Sequence, residues 1–136
     1  MTTWHVFLHR VTSQQPRPVK LDSINGWKCL DLSPTNIAEP MTVTFDEVCA
    51  TINSLSGGYC EPDGAFGWNP SADRVTRIGG TLHAFDERIM CVEIFGSIDP
   101  ADWIAFSQHF GLASELVVQV VEHGVFLESA EFMACL

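Results

Sequence analysis

Two segments of this chain carry both a start and a stop signal for an α-helix, and what lies between them is written in hairpin chemistry, an order that few architectures accommodate. In the first, Thr44 followed by Glu47 is a capping box; Phe45, Val48, Cys49, Ile52 and Leu55 then recur at helical spacing until Gly57-Gly58 closes the segment. In the second, Asp99 is placed to cap, Pro100 takes the first helical position and Asp102 lies at the positive end of the dipole. Trp103, Ile104, Phe106 and Phe110 supply its apolar side, and Gly111 ends it.

Strands fill the remainder. Trp4 to Val11 alternates with period two, Trp4, Val6 and Leu8 on one face against His5, Phe7 and His9 on the other. Ser13 to Pro18 holds two prolines and predicts an exposed loop, and Trp27, Cys29 and Leu30 suggest a short strand after the Asn25-Gly26 turn. Between the helices, Tyr59-Cys60 pairs with Ala65 to Trp68 across Glu61-Pro62-Asp63-Gly64. Val75 to Phe85 pairs with Ile89 to Phe95 across Asp86-Glu87-Arg88. Gly79-Gly80 inside the outgoing strand predicts a bulge or a close approach of backbone. Four valines in Leu116 to Val121 favour a buried strand, followed by Val125 to Leu127 and a short last helix from Ser129. Helices and strands do not alternate as in a parallel α/β sheet. The expected class is α+β, one domain over residues 1–136, with an antiparallel or mixed β-sheet and two helices packed on one face.

Charge narrows the function. Asp plus Glu number 17 against 7 Lys plus Arg, a formal net charge of −10, which argues against nucleic-acid binding because phosphates require clustered cations. The imbalance is one-sided: no Lys or Arg follows Arg88, and Glu93, Asp99, Asp102, Glu115, Glu122, Glu128 and Glu131 give the last 48 residues a formal −7. Solubility is ordinarily secured with interspersed signs, so this segment points to a basic protein partner. Neither a secretion signal nor a membrane span is legible, and the five cysteines show no C-x-x-C pair. They read as reduced thiols of a cytoplasmic protein.

No motif names a reaction. His5 and His9, four apart, would share a metal on a helix; on a strand they stand roughly 13 Å apart, so no metal site is expected. No phosphate-cradling loop or calcium loop is present, and no cofactor is expected. His83, Cys91 and Glu93 fall on neighbouring strands and have the chemistry of base, nucleophile and orienter, but no glycine-flanked elbow surrounds Cys91. The sequence therefore predicts a non-catalytic interaction module with an acidic face, of the inhibitor or immunity type. The alternative is a small enzyme or ligand-binding domain with a cleft near His83, Cys91 and Glu93. Oligomeric state is not legible.

Overall fold

A computed structural model describes residues 2–11, 19–21 and 25–136. Its centre is a nine-stranded antiparallel sheet: β1 (Trp4–Arg10), β2 (Val19–Leu21), β3 (Lys28–Leu30), β4 (Gly58–Cys60), β5 (Ala65–Trp68), β6 (Arg77–Phe85), β7 (Arg88–Ser97), β8 (Leu116–Val120) and β9 (Val125–Glu128), in the order β2-β3-β9-β8-β1-β7-β6-β5-β4. Among the described residues three helices accompany it, α1 (Phe45–Ser54), α2 (Pro100–Ser107) and α3 (Ser129–Met133). The α+β class follows, with the helices on one face.

Alternation decides which face. Val6 and Leu8 of β1 stand opposite Ile94 and Val92 of β7 and opposite Val120 and Val118 of β8, and all six are buried. With Leu82, Phe66, Trp68 and Leu127 they form one floor of the core. Val48 and Ile52 of α1, Trp103 and Phe106 of α2 and Phe132 of α3 form the other. Phe106 stacks on both Phe66 and Trp68, with ring centroids 5.7 Å apart in each pair. Burial of side chains this size, at about 1.5–3 kcal/mol each, is what offsets the ordering of the chain.

The capping signals act as expected. Thr44 Oγ1 accepts from the Glu47 backbone N–H at 3.2 Å, and an Asp99 carboxylate oxygen accepts from the Asp102 N–H at 2.8 Å. Helix α2 is shorter than its apolar residues suggest: it ends at Ser107, and Phe110 reaches the core from the turn that follows. Leu116–Val120 is the strand its valines favoured.

Gly79-Gly80 makes no bulge; pairing runs through both, and the register shifts at His83/Ala84 instead. Gly80 does mark a close approach, since a Cβ there would stand 1.8 Å from the Glu93 carbonyl oxygen. The Asn25-Gly26 turn is present, with Gly26 at a φ of 67°, whereas the expected Ser13–Pro18 loop lies outside the described residues.

Candidate functional site

Opposite the helices, the sheet's other face carries the odd-numbered side chains of β1. One end of it is covered: Val11, Leu30 and Val117 pack under Leu32, Ile37 and Phe126, beside a 3-10 turn at Pro34–Ile37. The rest is open to solvent and carries His5, His83, Cys91 and Glu93.

Register brings the sequence candidates together here. His83 is the direct partner of Cys91, and Thr81 the partner of Glu93. A residue that sequence reasoning set aside completes the group, because β1 pairs with β7 and places His5 beside Glu93. His5 Nε2–H donates to Glu93 Oε2 at 2.8 Å and His83 Nε2–H to Glu93 Oε1 at 2.9 Å, so one carboxylate is held between two imidazoles. The signal that could have found this is the pairing order itself, which brings together strands 88 residues apart.

Glu93's carboxyl is pulled below its usual range chiefly by the His83 hydrogen bond, with the His5 bond adding to it and burial opposing. Around this centre lies an aromatic sheet surface. Phe95 stacks on His5 with ring centroids 4.0 Å apart, and Phe7 lies about 6 Å from His5, His9 and His83. His9 is buried and donates to the Gln119 amide oxygen at 2.9 Å.

What this group can do is limited by the thiol. Cys91 is half-buried, and burial, reinforced by the negative charge of Glu93, raises its pKa. That is the reverse of what an activated nucleophile needs. The three predicted residues thus converge on an open face with the thiol held protonated, and the two imidazoles are oriented by Glu93 rather than by a reacting partner. Among the described residues no group of His, Cys, Asp or Glu has the arrangement to hold a metal ion.

The seven acidic residues after Arg88 do not form one surface. Glu93 is on the open sheet face. Asp99 and Asp102 serve the start of α2: Arg74 bonds Asp102 at 2.7 Å and Asp99 at 3.3 Å, and the buried Thr76 hydroxyl donates to Asp102. Glu131 accepts from the Lys28 backbone N–H at 3.1 Å. Glu122 and Glu128 stand exposed, while Glu115, 3.8 Å from the Arg10 guanidinium, lies in the wall of a groove.

That groove, about 960 Å³, runs between the C-terminal half of α2, the 3-10 turn at Ala113–Glu115 and α3. Trp103, Ile104, Leu112, Ala130 and Met133 make it apolar, and Glu115 and His109 are its titrating members. Ile104 and Leu112, both lining this groove, are 52% and 67% exposed.

No protein-family model, no curated protein and no solved structure matches the chain. No helix among the described residues is long and apolar enough to cross a membrane.

Proposed function

We propose that this protein is a cytoplasmic, non-catalytic interaction module that docks a basic protein, and that the docking surface is the groove between α2 and α3. The observation that carries the reading is the coincidence of two features in one stretch of chain. The apolar groove with its exposed Ile104 and Leu112 is built largely after Arg88, where the sequence holds seven carboxylates and no Lys or Arg. An amphipathic segment would set its apolar side against Trp103, Ile104, Leu112 and Met133 and a cation toward Glu115. Desolvated apolar anchors supply affinity in such an interface. The surrounding field supplies encounter rate and selection by charge.

The raised pKa of Cys91, the cross-strand partner of His83, favours this reading over the enzymatic one. The test is affinity capture at low and high salt with the wild-type protein and with an Ile104→Asp/Leu112→Asp variant. Both side chains are exposed, so the fold should survive the change. The expected result is a basic protein retained by the wild type at low salt, released as salt rises and not retained by the variant. Capture of the same protein by both would overturn the assignment of the groove.

A further inference from the structure

The open sheet face, remote from that groove, contains an unfilled place. Along one cross-strand row Tyr59, Gly67, Gly79, Phe95 and His5 are successive partners on β4, β5, β6, β7 and β1. The two flanking rings lean the same way along the row, Tyr59 inward from β4 over β5 and Phe95 outward toward β1. Tyr59 lies over Gly67, where a Cβ would come within 2.5 Å of Tyr59 Cε1, and Phe95 stacks on His5. Gly79 is left bare: a Cβ built there meets only the Phe66 carbonyl oxygen, at 3.3 Å. Its backbone is ordinary extended strand, so nothing in its conformation calls for glycine. Glycine in a strand interior weakens the strand, and its common reason for being there is that something approaches the backbone closely.

The surroundings define what would approach. Tyr59 and Phe95 are 54% and 46% exposed; with the Tyr59 ring over β5, about two strand spacings, roughly 10 Å, separate it from the strand of Phe95, which leaves the Gly79 backbone between them for one ring system. On β6 the same-face neighbours of Gly79 are Arg77 and Thr81, each about 7 Å away. Arg77 is exposed and, among the described residues, enters no ion pair. Glu93, opposite Thr81, accepts from His5 and His83 rather than from Arg77.

We propose that this strip binds a planar aromatic anion, of the aromatic carboxylate class, its ring over Gly79 between Tyr59 and Phe95 and its negative group at the Arg77 guanidinium. Ring contacts with the two aromatic walls and the bare backbone supply burial, and the planar fork of arginine matches a carboxylate in two hydrogen bonds. The protein's net charge of −10 opposes an anion at long range only, since at physiological ionic strength exposed charges are screened beyond about 8 Å.

The experiment titrates the intact, isotopically labelled protein with 2-naphthoate, its neutral amide 2-naphthamide, and cyclohexanecarboxylate. Amide shifts are read by NMR and affinity by calorimetry. The proposal expects saturable shifts at Gly67, Gly79 and Thr81 with naphthoate, and affinities at least about tenfold weaker for the other two probes. Gly79→Val, which fills the strip, should weaken naphthoate at least about tenfold, and Arg77→Gln should remove the preference for acid over amide. Ile104→Asp, in the groove, should change nothing, so this result and that of the docking experiment stand apart. Should Gly79→Val not fold, Tyr59→Ala on the edge strand must show the same loss. Absence of saturable shifts at these amides, equal affinity for the three probes, or naphthoate binding undiminished by filling the strip would overturn it.

Discussion

Glu93 sits between two imidazoles donated by strands far apart in sequence, and its chemistry contributes to the molecule's acid limit. Its carboxyl titrates below the ordinary value of 4.5, so its contribution to stability is complete above that pH and is lost as pH falls through the lower folded-state value. Glu93→Gln should lower unfolding free energy by about 0.5–1 kcal/mol at pH 6, as for a part-exposed ion pair, with the difference closing below pH 4; urea unfolding at both pH values measures it. His9 adds to that acid limit. Burial lowers its pKa against the pull of the Gln119 hydrogen bond, so the folded value lies below the unfolded 6.5. The unfolded chain then takes the proton first, and stability declines as pH falls from 6.5 toward the folded value. His9→Gln should flatten that limb, and an unchanged pH profile would contradict the assignment. A third residue reports on the core. Burial, with Cys49 and nearby carboxylates adding, pushes the Cys60 thiol up to about 12, so iodoacetamide at pH 7.5 should label it orders of magnitude more slowly than a free cysteine, as followed by mass spectrometry. Of these roles only the buried thiol was legible in the sequence. Spacing told that His5 and His9 share a strand face, but which carboxylate meets them depends on β1 pairing with β7, a long-range choice that no local pattern encodes.

At the scale of elements, α2 depends on a polar knot at its start. Removing the Asp99 cap by Asp99→Ala should cost about 1 kcal/mol, whereas Asp102→Ala should cost about 2–4 kcal/mol because it strips partners from the buried Thr76 hydroxyl and from Arg74. Thermal unfolding of the two variants orders them. Adjacent glycines on β6 should behave oppositely. Gly80→Ala drives a Cβ into the Glu93 carbonyl and should be strongly destabilising, while Gly79→Val should be tolerated, since its Cβ meets one oxygen at a distance that a small shift relieves. Equal melting temperatures for the two would refute the contrast. Much of the element plan was readable: Thr44 and Asp99 announce the helices through their side-chain oxygens, and the valines of β8 announce a buried strand. Where reading failed, the cause was tertiary. Phe110 looks like a continuation of α2 because it is apolar at helical spacing, yet the core draws it in from beyond the helix end. The glycine pair suggested a bulge, and the register shift falls four residues later, where the hairpin absorbs it.

The whole molecule sets an apolar groove bordered by Glu115 on the helical side and an aromatic, imidazole-rich sheet face on the other. Seven carboxylates close in sequence looked like one face, but folding distributes them: Asp99 and Asp102 hold a helix, Glu93 crosses to the open side of the sheet, and Glu115 borders the groove. Linear clustering of charge is visible in a sequence, whereas the side of a sheet on which each charge stands depends on the pairing of strands. The central claim is that the groove is where a basic partner sits. It is tested most directly by placing a photo-crosslinking amino acid at position 112 in the groove and, separately, at position 59 on the opposite face of the sheet, then irradiating in cells. The account predicts a covalent adduct of one basic protein from position 112 and none of that protein from position 59. An adduct from position 59 alone, or none from position 112, would contradict it.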